Sequence, residues 1–457
     1  MTAQPSPRPT WVDGLAPLAR TLLSAAGADP GALRLEQLRR KPGAGAVARL
    51  RVAAGRPPRR GEAAATRVWL GVDEAGLDRL TAGTAGTADV RVHGFGTDPR
   101  LPALAEACAP APGGEVWGAL EAAAGMLLGG APALAAVDAV PVRYKPGSRC
   151  VLRYTLHLRG GAAVAVFGKL FAEPRRAIAL DAVSGHLHEA QRAGDLPVVL
   201  ARPLGVSPGA GLALTAEGAE GDGGSGPLTP GTRMLLAPRR GTGTRPIPAT
   251  ALAAAGEALA RLHGSATPPL SLVHRTGAHE GARALGRARL IAEFAPASGP
   301  RLMAAATELA RLLGSTGTAA EVTAHGGFKP SQLVYAAAGR VVLTDLDGLC
   351  LADPALDLGY FLAYLRPIGA AGGRGAAAWY ASAASCFLDA YARSMAGAGV
   401  PRERLEAALR EARLYEAALL LKIAARRPQR LNAPRAGELE ATAAAIEECL
   451  TPLRRVA

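Results

Sequence analysis

The sequence has few cysteines and places them far apart. There are five, an odd number, and no CxxC pair occurs among them: Cys108, Cys150, Cys350, Cys386 and Cys449. Disulfide frameworks use even sets of cysteines, and zinc sites use closely spaced pairs of ligands. The spacing therefore argues against both, and it fits the reducing cytoplasm, where we expect the protein to act.

Long apolar runs are also missing. No stretch of about 18 uncharged apolar residues occurs, as a membrane-spanning helix would need. The first residues, MTAQPSPRPTWVDGL, lack the basic and then apolar order of a signal peptide. We therefore expect no contact with a membrane.

Aromatic residues and lysine are scarce. Aromatic residues make up 4% of the chain, and lysine supplies 5 of the 52 basic residues. The net charge of +14 points to an anionic partner. Proteins that bind nucleic acid usually combine basic patches with aromatic side chains that stack on bases. The arginines here are scattered and no aromatic residues are interleaved, so a nucleotide triphosphate is the favoured partner and nucleic acid is not.

Two frequent catalytic motifs are absent. The sequence has no HExxH and no GxxxxGK[ST], so zinc protease and P-loop functions lack support. His186 and His188 are two positions apart on a predicted helix. That spacing directs the two rings to different helix faces, which argues against a metal site.

What is present divides into three segments. Residues 1–115 combine a helical stretch with strand-like pieces, and residues 116–235 repeat this mixture and end in the low-complexity loop EGAEGDGGSGPLTPG. Residues 236–457 are mainly helical, and a loop and a short strand interrupt the helices. The length of 457 residues and the apolar content of 49% allow two or three units with cores of their own.

An internal repeat links the first two segments. RRKPGAGAVARL (39–50) and RYKPGSRCVLRY (143–154) are identical at six of twelve positions, and each joins a basic stretch, a Pro-Gly turn and an alternating strand. Either the first segment is a degenerate copy of the second, or the match is chance in a chain rich in Gly, Ala and Arg. The duplication predicts Val72 at the position of Lys169.

The second segment contains residues suited to binding phosphates. Phosphoryl transfer needs a cationic clamp, oxygen ligands for Mg²⁺ and a group that orients the attacking hydroxyl. Gly147 in the turn KPGSR offers backbone N–H groups to phosphates, unless the turn is simply a hairpin. Lys169 in the apolar strand AVAVFGKLF is the predicted phosphate-binding lysine, and a lysine at the solvent edge is the alternative. Glu189 on the next predicted helix is either the partner of Lys169 or a solvated residue.

The block HGGFKPSQLVYAAAGRVVLTDLDGLCLADPALDLGYFLA, residues 325–363, resembles the aminoglycoside phosphotransferase and choline kinase-like family. In that family a loop H-G-D-x-x-x-x-N is followed by an aspartate at a strand end and by D-P-x-x-D-L. RYKPGSRCVLRY and VFGKLF are similar to the N-lobe of actinobacterial members, so the resemblance covers roughly residues 140–365. It implies a bilobal α+β fold of the protein kinase type. A small antiparallel N-lobe then lies over a larger helical C-lobe, and an N-terminal module precedes both.

The resemblance also implies ligands for ATP and Mg²⁺. Asp345 corresponds to the metal-binding aspartate, and carboxylate oxygens suit a hard cation. Gln332 corresponds to the second metal ligand, and its amide oxygen lies one methylene further out than that of the family's asparagine. Lys329 is implied to lie near the transferred phosphate. Asp347 is either a further ligand or catalytic group, or a residue of a surface turn.

Three further residues are expected to have structural roles. His325 is expected to fix the loop by hydrogen bonds rather than to act as a base. Asp353 is expected to cap the helix PALDLGYFLAYL, which would begin at Pro354. Asp357 is expected to brace the catalytic-type loop.

The departure from the family is Gly327, which stands where the motif has its catalytic aspartate. General-base help of that kind is worth about 10² to 10⁴ in rate. Two functions follow from the resemblance: a phosphotransferase that acts on a hydroxyl of a small molecule or peptide, and a pseudokinase that senses nucleotide or supports a partner enzyme. A nucleic-acid-associated protein is a third and less favoured reading. The acceptor stays undetermined, because RLYEAALLLKIAARRPQRLNAPR either lines its site or is a buried helix with a solvated end.

Overall fold

The computed structural model describes most of the chain. The described residues are 9–25, 33–41, 45–52, 67–194, 196, 198–216, 247–268, 271–316, 321–335, 341–368, 375–426 and 437–454. The predicted low-complexity loop at 217–231 and the predicted helix end at Gly27 lie outside them. Among the described residues, no helix combines the length and the apolarity that crossing a bilayer requires.

The first unit is a four-stranded antiparallel sheet with two helices. Its elements are α1 (Trp11–Ala25), β1 (Leu33–Lys41), β2 (Gly45–Val52), β3 (Arg67–Val72), α2 (Glu74–Ala82) and β4 (Val90–Gly94). The strands pair in the order β1-β2-β3-β4. Asp73 caps α2 by accepting a hydrogen bond from the Gly76 N–H, and Gly83 ends α2 in the left-handed conformation.

The second unit is a five-stranded antiparallel sheet, the N-lobe. Its elements are α3 (Leu104–Cys108), α4 (Glu115–Leu128), β5 (Leu134–Lys145), β6 (Arg149–Leu158), β7 (Ala163–Phe171), α5 (Pro174–Ala193), β8 (Val199–Leu200), β9 (Pro203–Ser207) and β10 (Leu212–Ala216). The sheet order is β5-β6-β7-β10-β9. The side chains of β6 alternate between buried and partly exposed, because successive residues of a strand point to opposite faces.

The third unit is the helical C-lobe. Its elements are α6 (Ala249–His263), β11 (Val273–Arg275), α7 (Gly277–Phe294), α8 (Gly299–Gly314), β12 (Val322–Ala324), β13 (Leu333–Tyr335), β14 (Val341–Leu343), β15 (Cys350–Ala352), α9 (Ala355–Leu365), α10 (Ala376–Gly397), α11 (Arg402–Ala425) and α12 (Glu438–Arg454). Two small sheets, β11-β15-β12 and β13-β14-β8, carry its loops. Because β8 follows the N-lobe helix α5, its parallel pairing with β14 ties the two lobes together.

Two large hydrophobic cores support these units. The N-lobe core contains Tyr154 and Leu212, and it also includes Leu101 and Leu104, which precede the predicted boundary at 115. The second core runs through the C-lobe and continues into the first unit, where Leu15 is fully buried. Burial on this scale is the main stabilising contribution to the fold. The predicted bilobal α+β fold of the kinase type is confirmed, and the exact division at 115 stays a prediction.

The first two units share a topology. Each has three antiparallel strands, then a helix, and then a later strand that returns to pair with the third strand. The strand register corrects one detail of the predicted repeat. Val151 lies opposite Lys169 in the N-lobe, whereas its counterpart Val47 lies opposite Gly71. Gly71, not Val72, therefore occupies the position of Lys169, and the duplication itself stays a prediction.

Candidate active site

Lys169 lies at the centre of the candidate site. Strand β7 turns Val166 and Leu170 into the N-lobe core, so Lys169 points to the opposite face of the sheet. Its Nζ atom donates hydrogen bonds to the carboxylates of Asp345 and Asp347, the second at 2.8 Å. The apolar strand thus carries a lysine whose charge is neutralised by two carboxylates of the C-lobe.

The two carboxylates lie on a tight turn after β14. Asp345 has a φ of 68°, and it is the only non-glycine residue with a positive φ in the part of the chain that the structure describes. Aspartate tolerates this left-handed conformation better than most residues. One helical turn at 346–348 follows, and it brings Asp347 back to Lys169 and to Arg149, the first residue of β6. The turn therefore aims both carboxylates at the cleft.

The carboxylates differ in their protonation behaviour. Burial alone would raise the pKa of Asp345, but the hydrogen bond with Asp347 and the charge of Lys169 outweigh it and hold that pKa well below the usual range. Burial and the hydrogen bond with Asp345 raise the pKa of Asp347, against the opposing charges of Lys169 and Arg149. Asp345 therefore has the lower pKa of the two carboxylates.

Gln332 lies beside Asp345. It ends a short helical turn at 330–332, and its Nε2 donates a hydrogen bond to Asp345 Oδ2 at 2.7 Å. Its amide oxygen Oε1 is buried and has no hydrogen-bond partner within the described residues. A buried acceptor without a partner is costly. Gln332 therefore has an oxygen free for a ligand next to the carboxylate of Asp345.

Asp357 holds the loop that carries these residues. Its side chain is fully buried and accepts hydrogen bonds from the backbone N–H groups of His325 at 2.6 Å and of Gly326 and Phe328 at 3.3 Å. The ring of His325 lies 3.0 Å from the carbonyl oxygen of Thr344. These contacts join the loop 325–328 to α9 and to the strand end that precedes Asp345.

Two glycines in this loop have different surroundings. Gly326 has a φ of 69°, and a Cβ atom there would lie 1.9 Å from the carbonyl oxygen of Gly348. Only glycine fits such a position. A Cβ atom on Gly327 would meet nothing closer than the side chain of Gln332, at 3.8 Å. Glycine is thus a steric requirement at 326 and is not one at 327.

This loop and its surroundings belong to a segment with a family match. Residues 186–397 match the model of the phosphotransferase enzyme family. The match covers a little less than half of the chain and includes α6 to α10 with the loop between them. No curated protein matches the sequence.

Several solved structures are similar to the chain at low sequence identity. The macrolide 2'-phosphotransferase of Brachybacterium faecium has 18% identity, with 72% of this chain and 97% of that one covered and a TM-score of 0.39. The choline kinase of Streptococcus pneumoniae has 13% identity, 73% and 98% coverage and a TM-score of 0.43. A glucosamine kinase has 19% identity, 98% and 99% coverage and a TM-score of 0.41.

The residues of the phosphotransferase-type segment form an oxygen-rich donor set. No group of three or more His, Cys, Asp or Glu side chains suited to a metal occurs among the described residues. Asp345 and Asp347 offer two carboxylates, and Gln332 offers an amide oxygen. Mg²⁺ typically binds through one or two carboxylates and completes its shell with water and substrate phosphates. The donor set fits Mg²⁺ bound together with a nucleotide.

Lys329 lies at the edge of the same site. Its Nζ lies 5.7 Å from the centre of the Tyr364 ring, a cation–π contact. Burial lowers the pKa of Lys329 to about 8, although the charge of Asp345 opposes this shift. The side chain therefore presents its charge between the Asp345 turn and helix α9.

Two predicted site residues have other surroundings than expected. Glu189 is exposed on α5 and has no contact with Lys169 among the described residues, an arrangement that favours the solvated alternative. The Gly147 N–H donates to Asp98 at 2.6 Å, which leaves it unavailable to a phosphate. Asp98 also accepts a hydrogen bond from the Tyr144 hydroxyl at 2.7 Å. The turn at 146–148 is thus held as a hairpin, the simpler of the two readings.

Asp353 lies close to its predicted place. Its Oδ1 accepts a hydrogen bond from the Ala355 N–H at 2.7 Å, and α9 begins at Ala355 rather than at Pro354. Asp353 therefore makes a capping contact one position further from the helix than predicted, within the usual uncertainty of helix ends.

Sequence reasoning did not identify two groups that surround the loop. Arg275, the last residue of β11, donates hydrogen bonds to the carbonyl oxygen of Gly326, to Glu280 and to the Tyr360 hydroxyl. His263, at the end of α6, lies 3.4 Å from Asp357 and 3.0 Å from the Tyr391 hydroxyl. Neither residue lies in a recognisable motif. Arg149 had a weak signal, because it ends the turn KPGSR.

Proposed function

We propose that the protein is a phosphotransferase that binds ATP with Mg²⁺ and transfers the γ-phosphoryl group to a hydroxyl of a small molecule or peptide. The observation that carries the proposal is Lys169 between Asp345 and Asp347, with the free oxygen of Gln332 beside them. The family match of residues 186–397 supports it. A clamp lysine next to oxygen ligands is the arrangement that phosphoryl transfer requires.

Each residue has a definite task in this proposal. Lys169 binds phosphate oxygens once the incoming nucleotide competes for its ammonium group, and Arg149 remains to neutralise Asp347. Asp345 and the Oε1 of Gln332 would hold Mg²⁺, which neutralises charge on the phosphates when it is bound. Asp357 and Arg275 are positioning residues, because they hold the backbone of the loop and make no contact with the cleft carboxylates.

The transfer itself needs little covalent help from the protein. The acceptor oxygen forms a bond to the γ-phosphorus as the bond to the β–γ bridging oxygen breaks, ADP leaves, and the hydroxyl proton is lost to solvent. The transition state is loose, so positioning and charge stabilisation supply most of the acceleration. Because Gly327 stands where the motif has its aspartate, the site lacks a base at this position. General-base help is worth about 10² to 10⁴ in rate. We therefore expect slow transfer rather than none.

Thermal melting with and without Mg²⁺-ATP tests the proposal. A ligand at about 100 times its dissociation constant stabilises by about 2.7 kcal/mol. The melting midpoint of the parent should rise with Mg²⁺-ATP, and it should not rise for Asp345→Ala or when EDTA removes Mg²⁺. ADP release with a panel of hydroxyl compounds then measures turnover. A parent that shows neither a shift nor ADP release would refute the proposal.

A pseudokinase is the second candidate, and two observations favour it. Gly327 has no side chain to act as base, and Lys169 is engaged by both carboxylates rather than by a glutamate of α5. In this reading the cleft binds nucleotide without turnover and the protein supports a partner enzyme. ADP release separates the two candidates. A phosphotransferase releases ADP, and the release depends on Lys169. A pseudokinase shows the melting shift but releases no ADP.

A further inference from the structure

Helices α9 and α11 form two matched pairs of side chains beside the candidate site. Tyr360 and Tyr364 are four residues apart on α9, and Lys422 and Arg426 are four residues apart at the end of α11, where Arg426 is the C-cap, so each pair lies on one helix face. Lys422 Nζ donates to the Tyr360 hydroxyl at 3.0 Å, and Arg426 donates to the Tyr364 hydroxyl at 3.0 Å. The two cations thus stand side by side above the tyrosines.

Lys329 joins these pairs to the catalytic-type loop. It packs on the face of the Tyr364 ring, whose hydroxyl accepts from Arg426. The charges of Arg426, Lys422 and Arg143 help to lower its pKa, after burial, which is the main cause. Lys329 therefore lies close to both Asp345 and the cations at the end of α11.

The sheets of the first unit and of the N-lobe contribute further cations to this place. Lys145 ends β5, and burial together with the charges of Arg149, Arg143, Arg39 and Arg426 lowers its pKa to about 7. Arg39 comes from β1 of the first unit, and burial with the charges of Arg149 and Arg426 lowers its pKa. All three units of the fold therefore direct basic side chains to one place.

We call these side chains the cationic cluster. Its members are Arg39, Arg143, Lys145, Lys329, Lys422 and Arg426. Within the described ranges, none of them forms an ion pair with a carboxylate, whereas Lys169 and Arg149 nearby are both paired. Arg143 and Arg426 are exposed, whereas Lys145, Lys329 and Lys422 are partly buried, so less water screens the repulsion between these like charges. Perturbed groups of this kind are typical of functional sites.

We propose that the phosphoryl acceptor carries an anionic group, a phosphate ester or a carboxylate, that binds in the cationic cluster. This inference rests on the proposed phosphotransferase function. Arginine and lysine are the side chains that recognise phosphate and carboxylate. Tyr360 and Tyr364 fix the directions of Lys422 and Arg426, so the cations need little ordering when the anion binds.

The phosphates of the nucleotide are the competing source of negative charge. They are expected at Lys169 and Asp345, and among the cluster members the charge of Asp345 acts on Lys329. Lys422 lies on α11 and Arg426 directly follows that helix, and both donate hydrogen bonds to tyrosines of α9. An acceptor bound between Lys329 and α11 would place its hydroxyl toward the γ-phosphate and its anionic group away from it.

The experiment uses the full chain saturated with Mg²⁺-ADP, so that the nucleotide site is filled. Glucose 6-phosphate is titrated at constant ionic strength and the melting midpoint is followed, with glucose and glucosamine as neutral and cationic probes of the same ring. Phosphoglycerate serves as a second anionic probe on another scaffold. We expect the anionic probes to raise the midpoint and the other two to leave it unchanged.

The variants Arg426→Gln and Lys422→Met test the assignment. Each should weaken the apparent affinity for the anionic probe about 10- to 100-fold, the effect of one charge-assisted hydrogen bond. Arg402→Gln removes a charge from an exposed position of the same helix and should change nothing. The midpoint shift caused by Mg²⁺-ADP should persist in all three variants.

Four results would overturn the inference. In the first, neither anionic probe shifts the midpoint. In the second, glucosamine shifts the midpoint as much as the anionic probes do. In the third, the two cluster variants bind the anionic probe as well as the parent does. Loss of the Mg²⁺-ADP shift in the cluster variants would also overturn it, since the cluster would then serve the nucleotide. If the parent shows no Mg²⁺-ADP shift but binds the anionic probes without nucleotide, the proposed function fails and the anion site stands.

Discussion

The side chain of Gln332 faces both Asp345 and the backbone of Gly327. Its Nε2 lies 2.7 Å from Asp345 Oδ2, and a Cβ atom on Gly327 would lie 3.8 Å from its Oε1. The position that lacks a side chain therefore opens directly toward the proposed metal ligands. A carboxylate introduced there would enter the site without displacing the backbone.

Gly327→Asp should increase turnover. Because position 327 has room for a side chain, the new carboxylate can accept the acceptor's proton and raise the rate of ADP release by about 10² to 10⁴. The measurement is ADP release with the acceptor panel under saturating Mg²⁺-ATP. Gly327→Asn, which has the same shape and no charge, is the control and should give no increase. An equal increase for both variants would contradict a role as base.

Gly326→Ala should destabilise the protein while Gly327→Ala should not. The alanine at 326 needs a left-handed backbone and meets the carbonyl oxygen of Gly348 at 1.9 Å, which together should cost about 2 to 5 kcal/mol. The alanine at 327 should change stability by less than about 1 kcal/mol. Denaturant unfolding of both variants measures the difference, and similar values would show that the loop backbone differs from this geometry.

Glu189→Gln should leave nucleotide binding unchanged, whereas Lys169→Met should abolish it. Glu189 is exposed on α5, and the carboxylates that hold Lys169 come from Asp345 and Asp347 instead. The melting shift with Mg²⁺-ATP is the measurement for both variants. A loss of the shift in Glu189→Gln would mean that α5 moves to bring Glu189 to Lys169 in the nucleotide-bound state.

Asp357→Asn should destabilise the loop at neutral pH and less so in acid. Burial would raise the pKa of Asp357, but the hydrogen bond and charge of His263 and the backbone N–H donors outweigh it and lower that pKa. The group therefore stabilises the fold above its unfolded pKa of about 3.9, and this contribution is lost as the pH falls toward the lower folded pKa.

At pH 7 the free energy of unfolding of the Asp357→Asn variant should be about 3 to 5 kcal/mol lower than that of the parent. The reason is that the substitution removes the buried carboxylate that pairs with His263 and with three backbone N–H donors. The free energies of unfolding of parent and variant should converge as the pH falls below 4. A difference that stays constant across this range would show that the charge of Asp357 has no part in its effect.

Lys422→Met should stabilise the protein most at low pH. Burial and the charges of Arg287, Arg426 and Arg275 lower the pKa of Lys422 to about 7, below the value of about 10.4 in an unfolded chain. A lowered lysine pKa costs stability below the folded value, and the cost disappears as the pH rises through that range to the unfolded value. The advantage of the methionine variant should thus shrink between pH 7 and 10. Lys422→Arg, which keeps its charge, should show no such change.

Much of the fold was predictable because its signals are local. Lys169 in an apolar alternating strand and Asp345 after β14 are recognisable from their neighbours in the sequence, and their order is that of a kinase-type chain. The helices α2, α3, α7, α10 and α12 were not among the predicted elements. Gln332 was predictable only through its spacing from His325, and the repeat was placed one residue out of register, at Val72 instead of Gly71.

The remaining features of the site depend on distant packing. Asp98 accepts a hydrogen bond from the N–H of Gly147, 49 residues away, and Arg275 donates one to the carbonyl oxygen of Gly326, 51 residues away. Neither contact follows from local propensity or periodicity, because each joins segments that are distant in the chain. For the same reason nothing near Glu189 in the sequence indicated that the partners of Lys169 would come from the C-lobe.

The sequence by itself determined the three segments, the order of the site residues and the absence of a side chain at Gly327, since composition, periodicity and spacing are properties of the chain alone, and the resemblance of its motifs implied the lobes. Only the tertiary structure decided which charges are paired. In the folded protein Lys169 pairs with Asp345 and Asp347, and Arg149 pairs with Asp347. Lys145, Lys329 and Lys422 lie together and form no ion pair with a carboxylate among the described residues. Electrostatic pairing acts over a few ångströms of space, and the positions it joins here are more than a hundred residues apart in the chain.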